Sequence, residues 1–130
     1  MAVVLCLGTD DALLATRRMI LERAGHRVLQ AKSLPEVVIH CTEQLVDVVV
    51  LGQGVPSQEK LRANDFIRAE CPHSKILELH TLGARRALRD ADASLPVPVD
   101  VPSELSQTVE ELAKKRRRPA RTRKPKEDKT

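Results

Sequence analysis

The chain predicts a doubly wound α/β domain, a five-stranded parallel sheet covered by helices in a three-layer α/β/α arrangement. Three observations carry this expectation. Short apolar runs alternate with helical patterns along the sequence. The run at 47–51, DVVVL, is apolar without alternation, as in a strand buried on both faces. It then breaks abruptly at Gly52, Gly54 and Pro56. The carboxyl end of a buried parallel strand is where an open α/β sheet usually places its site, yet this turn carries no nucleophile, acid, base or metal ligand.

The elements follow in order. AVVLCL at 2–7 is a first buried strand. Thr9, Asp10 and Asp11 offer N-cap oxygens to a helix with Leu13, Ile20, Leu21 and Ala24 inward. Gly25 stands where a helix stop belongs, and HRVLQA at 26–31 is strand two. Ser33 to Glu36 reads as a capping box with Pro35 in the first turn, followed by Val37, Val38, Cys41 and Leu45 at helical spacing. After strand three, a helix from about Ser57 to Glu70 turns Leu61, Phe66 and Ile67 inward, and Pro72 ends it. KILEL at 75–79 is strand four, and Ala84, Ala87, Leu88 and Ala91 mark a short fourth helix. LPVPV at 95–99 is a weak strand, placed at a sheet edge because its prolines lack ladder donors. Ser103 caps a last helix with Leu105, Val109 and Leu112 inward.

At 130 residues this is one domain, 1–113, with a basic tail at 114–130. The core must be aliphatic, since Phe66 is the only aromatic residue, and the stacking platforms of single-strand nucleic-acid binders are missing. Ten Lys and Arg against two acidic residues give the tail +8; with +4 overall, residues 1–113 carry −4. KKRRRPARTRKPKEDKT has two prolines and no large apolar residue, and is expected to be disordered. Such a tail fits a polyanion gripped without sequence readout, through Lys114, Lys115, Arg116, Arg117, Arg118, Arg121, Arg123 and Lys124. An acidic protein, anionic lipid or the acidic body itself are alternative partners. Three separated cysteines suit a reducing compartment. The short apolar start lacks a basic flank and meets Asp10 and Asp11, so it is read as no signal peptide, and no segment approaches a membrane span. A cytoplasmic protein is expected.

Candidate sites are few. His80, at the carboxyl end of strand four, is either a titrating group or a polar residue of the sheet rim. Cys71-Pro72-His73 lacks the ligand number and spacing of a zinc site, while Cys6 and Cys41 fall on buried faces. Gly8-Thr9-Asp10 fits no phosphate-loop pattern and reads as a tight turn. Gly52-Gln53-Gly54 could admit a ligand to the backbone, but is read as satisfying a turn.

Taken together, LERAGHRV at the end of the first helix, DVVVLGQGVP around strand three and the closing VPVDVPSEL resemble the receiver domain of bacterial response regulators, of CheY-like, flavodoxin-type order. The resemblance covers residue 2 to about residue 113. It implies a carboxylate phosphoacceptor, but the matching position is Gly52. It implies an acidic pair for Mg²⁺ after strand one, a position that falls on Gly8 and Thr9; Asp10 and Asp11, one or two positions late, are the vestigial candidates. The switch hydroxyl falls on His80 or Thr81, and the family's lysine on Val97 before Pro98. An aromatic switch on strand five is impossible here. The expectation is therefore a pseudo-receiver: a stand-alone adaptor in phosphorelay-type signalling, not an enzyme, unphosphorylated and needing no cofactor or metal. Its partners would be proteins or a second copy of itself, docking through roughly residues 84–112, as the resemblance implies. The alternative function is a nucleic-acid-associated protein held by the tail.

Overall fold

The computed structural model describes residues 1–97 and 102–115. Its elements are β1 (Val3–Leu7), α1 (Asp11–Arg23), β2 (Arg27–Ala31), α2 (Leu34–Glu43), β3 (Val48–Leu51), α3 (Ser57–Glu70), β4 (Lys75–Thr81), β5 (Ala93–Val97) and α4 (Pro102–Lys114). All five strands are parallel, in the order β2-β1-β3-β4-β5. This is the expected doubly wound sheet, with four helices among the described residues. As expected, β5 is an edge.

The three central strands are buried on both faces, which explains their unbroken apolar runs. One face packs Val4, Cys6, Val48, Val50, Leu77 and Leu79 under α1 and α4, through Leu14, Leu21, Leu105, Val109 and Leu112. The other packs Leu5, Leu7, Val49, Leu51 and Ile76 under α2 and α3, through Val37, Cys41, Ala63 and Ile67. Burial of these side chains, each contributing roughly 1.5–3 kcal/mol, drives the layering.

Local chemistry ends the elements. Asp10 Oδ1 accepts the Ala12 and Leu13 N–H groups, so Asp10 alone of the three candidates caps α1. Gly25 follows the helix at φ +93°, a conformation costly for any residue with a Cβ. The capping box expected at α2 does not form. Ser33 makes no side-chain cap bond, and Glu36 Oε1 accepts the N–H of Lys32, one residue before the cap.

The structure corrects several expected inner faces. Leu14, not Leu13, faces the core of α1, and Ala24 is exposed beyond its end. Leu45 lies past the end of α2 and is 70% exposed, and Val38 is only partly buried. On α3 the buried residues are Lys60, Ala63, Asn64 and Ile67; Leu61 is exposed and Phe66 only partly covered. Ser103 is a helical residue of α4, not its cap. β5 begins at Ala93, two residues earlier than expected, and the remaining residues of the anticipated strand, 98 and 99, lie outside the described residues.

The largest correction is the fourth helix. Residues 82–92, which join β4 to β5, contain no helix. Within a helix, the Ala87 and Leu88 N–H groups would donate to carbonyls four residues back. Here both donate instead to the carboxylate of Glu78, at 2.7 and 3.0 Å. Gly83, at φ +87°, adds a left-handed turn. The anticipated inward Leu88 is buried all the same, carried by an irregular backbone.

Candidate functional site

The carboxyl ends of β1 and β3 lie side by side, Leu7 in register with Leu51. Their ladder runs one residue further, because Gly52 N–H donates to the Leu7 carbonyl at 2.8 Å. The turn region beyond is formed by Gly8, Thr9, Gly52, Gln53 and Gly54, a Cβ at Gly54 falling 3.2 Å from Thr9 Oγ1. Into it comes Arg17. Residues 14, 17 and 21 share the inner face of α1, so this arginine is 7% exposed among core residues.

The guanidinium ends against Gly52. A Cβ added there would stand 2.9 Å from Arg17 Nη1 and 3.0 Å from the Leu7 carbonyl oxygen. Gly52 does not have a positive φ, and neither does Gly54. The expected turn forms all the same, Val55 N–H donating to the Gly52 carbonyl at 3.1 Å, and at Gly52 the missing side chain also leaves room for a cation. Arg17 Nη2 donates to Gln53 Oε1. Burial lowers the Arg17 pKa, opposed by the nearby Cys6 and Asp10. The same burial pushes the Cys6 thiol up to about 12, with Arg17 working against it.

The structure does not bring Asp10 and Asp11 together as a ligand pair. Asp10 is committed to the α1 cap, and Asp11 forms an ion pair with Lys32. Among the described residues no cluster of three or more His, Cys, Asp or Glu side chains could hold a metal ion. Cys71-Pro72-His73 takes part in none; Cys71 Sγ instead approaches the Cys41 carbonyl at 3.8 Å. His80 is partly buried within β4, in register with Pro96, and Thr81 is exposed at the strand end opposite the buried Val97. His80 Nδ1 meets no hydrogen-bond partner among the described residues.

A second polar cluster lies on the opposite face of the sheet. Lys60, Asn64 and Arg68 form one stripe on α3, spaced i, i+4, i+8. Lys60 Nζ donates to Glu78 Oε2 at 3.0 Å and to the Leu79 carbonyl at 2.9 Å. Asn64 donates to Asp90 Oδ1 at 3.3 Å, and Arg68 Nη1 lies 3.3 Å from Asp92 Oδ2. This stripe holds the helix-free connection. Burial would raise the Glu78 pKa, but the Ala87 and Leu88 N–H groups and the Lys60 ammonium hold it below the usual carboxylate range.

Sequence reading missed both clusters. Each had a visible signal: an arginine in the middle of an otherwise apolar stripe on α1, and Glu78 within an apolar buried strand. Of the tail residues, Lys114 and Lys115 are exposed, one at the end of α4 and one just past it. Arg116, Arg117, Arg118, Arg121, Arg123 and Lys124 lie outside the described residues. No described helix is long and apolar enough to cross a membrane.

The architecture is that of CheY-like receiver domains. A response regulator receiver domain protein from Clostridium thermocellum superposes with a TM-score of 0.74 at 24% identity, covering 87% of this chain and 94% of that one. Chemotaxis response regulator CheY4 of Vibrio cholerae gives 0.73 at 19% identity, over 86% and 98%. The beryllofluoride-activated NtrC4 receiver domain, a dimer in solution, gives 0.74 at 25% identity, over 86% and 96%. No protein-family model matches the sequence, and no curated protein matches it.

Proposed function

We propose that this receiver-fold chain serves signal transduction as an adaptor, working through protein contact without phosphorylation of its own and without a catalytic step. One observation carries the reading. The end of β3, where a receiver needs a carboxylate nucleophile, holds Gly52, and the guanidinium of Arg17 fills the adjoining space. Glycine offers no oxygen to attack a phosphoryl donor. The two nearby carboxylates are engaged elsewhere, Asp10 at the helix cap and Asp11 with Lys32, and a buried cation beside Gly52 opposes entry of Mg²⁺. The space at the end of β3 is thus read as filled by Arg17. Self-association is a natural output for such a domain, as in the NtrC4 receiver dimer.

The test is incubation with acetyl phosphate and Mg²⁺, followed by intact mass measurement. An unchanged mass is expected. A hydroxylamine-sensitive phosphoryl adduct on any aspartate would overturn the proposal. A second reading, association with nucleic acid, is favoured by ten cations within residues 114–130 attached to an acidic body.

A further inference from the structure

In residues 82–92, side chains and backbone divide sharply between inside and outside. Leu88 is 1% exposed and packs into the core, and the Ala87 and Leu88 N–H groups are spent on Glu78. Outward stand Leu82, 71% exposed, and the exposed Arg85, Arg86 and Arg89. Arg86 Nη1 donates to Ser94 Oγ at 3.1 Å. None of the three arginines has an ion-pair partner among the described residues. Asp90, the nearest carboxylate in sequence, is held by Arg68 and Asn64. Three cations with no ion-pair partner among the described residues therefore follow a large exposed apolar side chain within seven residues, on a body whose net charge is −4.

We infer that residues 82–89 form a docking surface for an acidic protein segment that carries an apolar side chain. The inference rests on the adaptor reading above and names the chemistry of the partner. Charge complementarity sets the sign: uncompensated arginines attract carboxylates, and arginine makes bidentate bonds to them. Leu82 decides the class of macromolecule. A phosphate backbone gives an exposed leucine nothing to cover, whereas protein interfaces combine an apolar centre with arginine. The buried link from Glu78 and the partly buried links from Asp90 and Asp92 to α3 fix the backbone beneath, so little ordering entropy is lost on docking.

The experiment uses the full chain, labelled with ¹⁵N and titrated at low salt with a synthetic Glu- and Leu-rich peptide and, separately, with duplex DNA. Saturating amide shifts at Leu82, Gly83, Arg85, Arg86 and Arg89 are expected with the peptide. Combined Arg85→Glu, Arg86→Glu and Arg89→Glu should weaken that binding about tenfold, and Leu82→Ser should weaken it with the arginines intact. Core amide dispersion reports that each variant is folded. Peptide shifts confined to other residues, or an affinity unmoved by both variants, would overturn the inference. So would shifts at residues 82–89 with DNA but none with peptide. Phosphodonor labelling reports on the adaptor reading separately: an aspartyl adduct removes that reading whatever residues 82–89 bind, and an unlabelled protein with no shifts at these residues removes only the partner class.

Discussion

Lys60 Nζ, on the inner face of α3, lies 3.0 Å from Glu78 Oε2 in β4, and both side chains are buried. An ion pair so placed adds little net stability, because two charges must leave water. Its consequence is conformational. The Glu78 carboxylate also accepts two backbone N–H groups of the following connection, so α3, β4 and residues 82–92 are tied together at one point.

Removing one partner of this pair strands the other. Lys60→Met or Glu78→Leu alone should cost roughly 3–5 kcal/mol in urea unfolding, and the double variant should recover most of that loss. Glu78→Leu should also release the Ala87 and Leu88 amides, read as faster hydrogen exchange there than in β1. A double-variant cost equal to the sum of the two single costs would mean that the two groups are not coupled.

The pair also has a pH signature. The Glu78 pKa is depressed on folding, so its contribution is complete above the ordinary glutamate value of about 4.3. It is lost as pH falls through the lower folded value. Protection of the Ala87 and Leu88 amides should therefore hold at pH 5 and fail only in stronger acid, and Glu78→Gln should remove that acid dependence. An onset of exchange near neutrality would contradict the assignment.

How much of this was legible in the sequence depended on which interactions carried each element. The sheet was, because Val48, Val49 and Val50 are buried on both faces and can be little else than a central strand. Val109 and Leu112 fixed the last helix in the same way, through apolar spacing alone. The fourth helix failed because Ala84, Ala87, Leu88 and Ala91 have helical spacing, while the groups that undo it, Glu78 and Arg68, sit on other elements. Propensity is local, and a carboxylate arriving from a neighbouring strand is not. Arg17 was passed over for a related reason. A positive charge at a core position is unfavourable until the glycine that makes room for it, Gly52 on β3, is brought alongside.

Arg17 and Gly52 should accordingly behave as one unit. Gly52→Ala puts a methyl group 2.9 Å from Nη1 and 3.0 Å from the Leu7 carbonyl, and overpacking of this kind costs about 1–3 kcal/mol. Combining it with Arg17→Ala should return part of that cost, with a coupling of about 0.5 kcal/mol or more by urea denaturation. Strict additivity would show that the close approach is unimportant. Gly52→Asp puts a carboxylate beside the guanidinium, which should capture it as an ion pair. No acyl-phosphate adduct is expected from acetyl phosphate in that variant, because Asp10 remains at the helix cap. A phosphoryl adduct would show that the missing carboxylate is the site's sole defect.

Cys6 makes the protein sensitive to alkali. Its thiol is pushed up to about 12 by burial, against an ordinary value of 9.0. Above pH 9 the unfolded chain releases the Cys6 proton and the folded chain keeps it. Stability then falls as pH rises, by up to about 1.4 kcal/mol per unit from this group, until the folded value is reached. The slope of unfolding free energy between pH 9 and 10.5 should be shallower in Cys6→Ala than in the parent chain. In the native state near pH 8, Cys6 should react with Ellman's reagent far more slowly than it does in urea. Prompt reaction of the folded protein would show that β1 opens readily.

The tail is best judged by salt dependence. Lys114 and Lys115 are exposed at the end of α4, so a chain ending at residue 115 keeps the whole helix and removes eight cations and two carboxylates. If the tail neutralises about five phosphates, the affinity of the full chain for labelled duplex DNA should fall with a log–log salt slope of about −4.5. Fluorescence anisotropy measures this directly. Truncation should abolish binding, whereas charge reversal of Arg85, Arg86 and Arg89 should leave it nearly unchanged. Those three arginines are assigned to an acidic protein segment, and the two basic regions would then act independently. Binding that survives truncation but not reversal of these arginines would exchange the roles given to residues 82–89 and the tail. A shallow slope would remove phosphate contact as the source of affinity, leaving the globular domain and its protein contacts as the working part of the chain.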